Sequence, residues 1–178
     1  VVYNTAYTYA KNFLQESVVL ELEDENEDPV VDSEFTPKKK KTIAIVPGAF
    51  KPPHQGHADM VQEYANKADE VIIIISKPTR EGRYLNDGTE ILQDHAEQIW
   101  RDIFLPQITG AKIEIKTDSP YASPLQAGLE YIGVNGPLNP KEHRVILGAS
   151  DKPDERGIPD WHRWKDAYTY RKEGLEIM

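Results

Sequence analysis

Four short runs dense in apolar, mostly β-branched residues punctuate the chain: TIAIVPG at 42–48, EVIIIIS at 70–76, KIEIKT at 112–117 and RVILGAS at 144–150. Each has the length of a strand, and their near-continuous apolar character predicts strands covered on both faces. Between them the apolar spacing lengthens to that of a helix. Met60, Val61, Tyr64, Ala65 and Ala68 share one face over 57–68, as do Ile91, Leu92, His95, Ile99 and Ile103 over 90–104. A third helix is expected to open at Ser123-Pro124, a capping residue followed by a proline suited to the first helical position, and to run to about Ile132, before Gly133. The final EGLEIM reads as the beginning of a fifth strand. Strand and helix in alternation, with right-handed crossovers, predict an α/β fold with a Rossmann-like, doubly wound parallel sheet. Ligands of such sheets bind beyond the carboxyl ends of the strands where the winding reverses. The loops after the first and fourth strands are therefore where chemistry is expected.

Charge divides the chain in two. Of a net charge of −9 over 178 residues, eight acids and no bases lie between Glu21 and Glu34, and Lys38 to Lys41 follow at once. Such a run, interrupted by Pro29 and Pro37, buries too little apolar surface to offset the entropy of ordering it. Residues 1–41 are therefore expected to form an arm, partly disordered or docked on a partner, with a short helix near Tyr7 to Ser17. Residues 42–178 form the nearly neutral folded domain. The lysine run either blunts the neighbouring sheet or contacts a partner. The overall acidity argues against nucleic acid. No cysteine is present, which excludes disulfides, thiolate-held zinc and cysteine nucleophiles, and suggests a reducing, cytoplasmic setting. The longest apolar run, Val71 to Ile75, is far below the roughly 20 residues of a membrane span, so no membrane partner is expected. The chain starts at Val1 rather than methionine, which suggests a processed or trimmed start.

The first strand runs into PGAFKPPHQGH, residues 47–57. Gly48 permits close approach of backbone, and Pro52-Pro53 stiffens the loop. Gly56 and His57 open a helix whose first N–H groups lack helical partners and whose dipole end is positive. With the His54 and His57 imidazoles as donors and the Lys51 charge nearby, the loop reads as a polyphosphate cradle. A zinc reading has no third ligand close by, since His95, His143 and His162 are scattered. Neither a GxxxxGK[ST] loop nor a GxGxxG fingerprint occurs.

The sequence G-x-F-x-P-x-H-x-G-H in this loop resembles the signature of the HxGH nucleotidylyltransferase superfamily, which includes cytidylyl- and adenylyltransferases. The resemblance implies that Gly48, Ala49, Phe50 and Gly56 help to bind the nucleotide. It assigns catalysis to His54, His57 and Lys51, usually with Mg²⁺ bridging phosphates. The implied reaction is attack by a phosphate oxygen of a phosphorylated small molecule on the α-phosphorus of an NTP, ATP or CTP, with release of pyrophosphate. No resident protein-bound metal is implied. In the superfamily the fourth strand lies beside the first, which would bring Gly148, Ser150 and Asp151 across from the HxGH loop. That segment, Gly-Ala-Ser-Asp, carries one residue more than the Gly-x-Asp of the adenylyltransferases. Arg80 and Arg83, after the second strand, are candidates for neutralising a substrate phosphate, and Trp161 for stacking on a ring; a solvated loop and core packing are the alternatives. Base selectivity is expected from backbone groups after the fourth and fifth strands.

Over residues 42–160 the pattern further resembles the small cytidylyltransferase-like proteins of tailed phages, which would put the protein in host cytoplasm or virion. The superfamily's later [IS]-S-x-T-x-x-R element is not found up to Met178: either the domain is truncated just before it or the protein lacks it, in which case catalysis would be impaired. A second hypothesis follows: a catalytically impaired nucleotide-binding or structural module of a larger assembly, attached to a protein partner or a second copy through residues 1–41.

Overall fold

A computed structural model describes residues 38–77, 83–150, 152–153 and 155–178. The helix expected near Tyr7 to Ser17, and the arm as far as Pro37, lie outside the described residues, as do Arg80 and Asp151. The five strands are β1 (Lys41–Gly48), β2 (Glu70–Ile75), β3 (Lys112–Lys116), β4 (His143–Leu147) and β5 (Glu176–Ile177). They form one sheet in the order β3-β2-β1-β4-β5, every pair parallel. This is the α/β, Rossmann-like arrangement expected. The helices are α1 (Gln55–Ala65), α2 (Gln93–Ile99), α3 (Pro124–Ile132) and the single turn α4 (Ala167–Tyr170). A 3-10 turn, Asp160–Trp164, precedes α4.

The alternation of side chains along a strand divides the core into two layers. Ala44 and Val46 of β1, with Val71, Ile73 and Ile75 of β2, pack with Ala58, Val61 and Ala65 of α1 and with Trp100 and Phe104. Ile43, Ile45, Ile72, Ile74 and Val145 face the other way, toward Ala127, Leu129 and Ile132 of α3, and toward Trp164 and Leu175. Because β1 and β2 are covered twice, both read as unbroken apolar runs. The chain winds from β1 out to β3, then crosses to β4 on the far side of β1, so the winding reverses between β1 and β4.

The helix expected over 90–104 differs from its apolar pattern. It opens only at Gln93, and Trp100–Phe104 form a π turn. The buried face is Ala96, Trp100 and Phe104, while Leu92 and Ile103 are exposed. Of the expected positions Ile91 is buried and Ile99 packs against the same core as Trp100 and Phe104, so it is Leu92, His95 and Ile103 that turn outward, and the two large rings add to the buried face. Ser123 caps α3 as expected, accepting from the Gln126 amide at 3.3 Å.

At the amino end of the sheet, Lys41 opens β1 and its ammonium pairs with Glu70, which Lys112 also reaches at 2.9 Å. Burial pushes the Glu70 carboxyl up, but hydrogen bonds from the two lysines, with their charges, together hold it down at about 2. This member of the lysine run is thus an ion-pair partner within the sheet. No helix among the described residues is long and apolar enough to cross a membrane.

Candidate nucleotide site at the reversal point

A cavity of about 880 Å³ opens at the carboxyl ends of β1 and β4. Its floor is the loop that leaves β1. Gly48, Ala49, Phe50, Lys51, His54, Gly56 and His57 all line it, and so do Arg83 and Ser150. Nine of the residues singled out from sequence are therefore gathered in one place.

Local geometry explains the spacing of the loop. Phe50 has φ of +48° and is 5% exposed, its ring folded back over the chain it follows. A Cβ at Gly48 would lie 2.5 Å from Phe50 Cζ, so only glycine leaves room for that ring. The Phe50 ring stands edge-on to His57, with centroids 5.0 Å apart, and to Trp100, at 5.5 Å. It thus ties the floor of the site to the core beneath α2. The Lys51-Pro52 peptide is cis, and Pro53 is buried. At Gly56 an added Cβ would come within 3.3 Å of the His54 ring.

The two imidazoles lie stacked, 3.6 Å between centroids. His57 is the third residue of α1, and its Nδ1 accepts the His54 amide at 3.2 Å, the position that Glu or Gln fills in a capping box. With Nδ1 acting as acceptor, Nε2 carries the proton and is the donor His57 can offer a ligand. Burial, with the neighbouring His54, lowers the His57 pKa to about 4. At neutral pH it is therefore an uncharged donor. The Lys51 pKa is also lowered, by burial first and by Arg83 in smaller part, with Glu90 opposing.

The wall from β4 is built differently from the sequence expectation. Gly148 is not a lining residue; its carbonyl accepts from Arg163 Nη2 at 2.8 Å and Trp164 Nε1 at 2.9 Å. Trp161 lies outside the cavity, 61% exposed, with its ring against His162 at 4.0 Å. In the 3-10 turn it is Arg163 that lines the cavity, while Trp164 is buried in the core layer of α3. Trp164 packs over Gly128 of α3, where a Cβ would meet its ring at 2.5 Å.

Several lining residues were missed from sequence: Asp59 and Glu63 on α1, and Lys152, Asp160 and Arg163 after β4. For α1 a signal existed, since Gly56, Asp59, Met60 and Glu63 fall on one helical face. Arg163 and Asp160 flank Trp161 and belong to no motif of their own.

The cavity lining offers a polyanion the side chains of Lys51, His54, His57, Arg83, Lys152 and Arg163, interspersed with the carboxylates of Asp59, Glu63 and Asp160. No curated protein matches the chain. Residues 45–94, from β1 through the cradle to the start of α2, match the family model described as cytidylyltransferase-like, which agrees with the HxGH nucleotidylyltransferase signature in that segment.

Proposed function

We propose that the protein is a nucleotidyltransferase, moving a nucleotidyl group from ATP or CTP to a phosphorylated small molecule. One observation carries the reading: Lys51, His54, His57 and the amino end of α1 meet in one cavity at the reversal point, within the segment that matches the family model. In the reaction a phosphate oxygen of the co-substrate attacks the α-phosphorus. A new P–O bond forms as the bond from the α-phosphorus to the bridging oxygen breaks, and the electron pair leaves with pyrophosphate. The protein's part is to hold the groups in line and to stabilise charge on the leaving phosphates. His57 Nε2–H, the His54 imidazole and the Lys51 ammonium are donors of the right kind. No covalent protein intermediate is needed. Among the described residues no three His, Asp or Glu side chains converge on a cation position. The described side chains therefore make no protein cage for Mg²⁺.

The experiment is pyrophosphate release from ATP and from CTP across a panel of phosphomonoesters, for the wild type and for His57→Ala. Release is expected with at least one pair and is expected to fall at least a hundredfold in the variant, with the fold retained. No release with any pair refutes the enzyme reading. Nucleotide binding without release supports instead a binding module with the same cradle.

A further inference from the structure

Every backbone hydrogen-bonding group of the β4 wall, from Gly148 to the amide of Ser150, is taken by the protein itself. The Gly148 amide donates to Ile45 O at 2.7 Å, and its carbonyl receives Arg163 and Trp164. The Tyr64 hydroxyl accepts from the Ala149 amide and donates to the Ala149 carbonyl, each at 2.8 Å. The Ser150 amide donates to Asp160 Oδ2 at 2.6 Å. From Gly148 to Ser150, then, no backbone amide is left for a base to read, and the selectivity expected of backbone groups after β4 does not lie in these three amides.

Tyr64 differs from the other partners in where it comes from. Arg163, Trp164 and Asp160 belong to the 3-10 turn that follows the wall in sequence, whereas Tyr64 belongs to α1. It stands seven residues after His57, two turns along the same helix and on the same face. A single hydroxyl thus joins the helix that presents His57 to the opposite wall, 85 residues away in sequence. We propose that Tyr64 is a positioning residue whose hydroxyl sets the separation of α1 from the Gly148–Ser150 wall, and so the geometry in which a nucleotide is held. The inference rests on the nucleotide reading above.

The hydroxyl serves as acceptor and donor to the two successive peptide groups that flank the Ala149 Cα. Phenylalanine keeps the ring and its packing while leaving the Ala149 amide and carbonyl without that partner. The test compares full-length wild type and Tyr64→Phe by amide exchange and by calorimetric titration with ATP and with CTP. Exchange at the Ala149 amide is expected to accelerate at least tenfold, with Ile45 and Val61 unchanged. The dissociation constant for whichever nucleotide binds is expected to rise roughly tenfold, the scale of one or two lost neutral hydrogen bonds. Unchanged exchange at Ala149 overturns the proposal. So does an unchanged dissociation constant beside accelerated exchange, which would make the bond a local staple only. Uniform acceleration through β1 and α1 would assign Tyr64 to general stability and also overturn it. A wild type that binds neither nucleotide refutes the nucleotide reading itself, and is distinguished because it fails before any substitution is made.

Discussion

Replacing Gly48 with alanine tests whether the floor of the site depends on one close contact. The new Cβ would lie 2.5, 2.7 and 2.8 Å from three atoms of the Phe50 ring, all closer than real Cβ contacts. The ring has little freedom to yield, being 5% exposed and fixed edge-on against both His57 and Trp100. Overpacking of this kind costs about 1–3 kcal/mol. A glycine-to-alanine change relieves roughly 0.5–1 kcal/mol of backbone entropy in a strand, so the net loss should be about 0–2.5 kcal/mol. Phe50→Ala alone should cost about 3–5 kcal/mol. If the ring is what the methyl strikes, the double variant Gly48→Ala/Phe50→Ala will be more stable than the sum of the single losses by about 1–3 kcal/mol. Urea unfolding of the four proteins at pH 7 measures this coupling. Losses that add to within about 0.5 kcal/mol would refute the argument, since residues out of contact behave that way.

Three further outcomes follow from the same geometry. His57, with a pKa near 4 in the folded protein against 6.5 unfolded, takes up its proton more readily when unfolded; stability should therefore fall as pH drops from 6.5 to 4. For a half-buried ring the loss is roughly 1–2 kcal/mol, and an NMR titration midpoint near 6.5 would contradict it. Glu70, held near pKa 2 against an ordinary 4.5, contributes stability that is present above 4.5 and lost as pH falls through 2. Glu70→Gln should cost about 1–3 kcal/mol at pH 7 and flatten that acid limb in denaturant midpoints measured against pH; an unaltered limb would show that the ion pairs do not govern it. Gly128→Ala, which sets a methyl 2.5 Å from the Trp164 ring, should lower the melting temperature and speed exchange at Gly148 more than at Val61. Equal protection at both would disconnect Trp164 from the wall.

The strands were readable because β1 and β2 are buried twice, so the sheet's demand for apolar side chains overrides the two-residue alternation that a half-buried strand would show. Of the order β3-β2-β1-β4-β5, the sequence with its family resemblance supplied only the parallel, doubly wound character and the fourth strand beside the first; the rest came from the tertiary structure. Helix α1 was legible for the usual reason, one apolar stripe on one helix. Helix α2 was legible in part: Ile91 and Ile99 do meet the core, but Leu92, His95 and Ile103 turn outward because the aliphatic spacing left out Trp100 and Phe104, whose rings are buried beside Ala96. The cradle stood out because backbone constraint and chemistry coincide within ten residues, from Gly48 to His57.

What the chain by itself determined is local: strand and helix content, the stiff glycine-containing loop after β1, and the two histidines set three apart at a helix start. The opposite wall was not local. Tyr64, Asp160, Arg163 and Trp164 bond to the Gly148–Ser150 backbone from two separate segments, and their side chains carry no spacing that marks them for it. Only the packing of α1 and the 3-10 turn against the end of β4 brings them there, because buried backbone groups must find partners and these side chains were the ones within reach. Tertiary structure likewise removed Trp161 from the site and turned Arg163 into it.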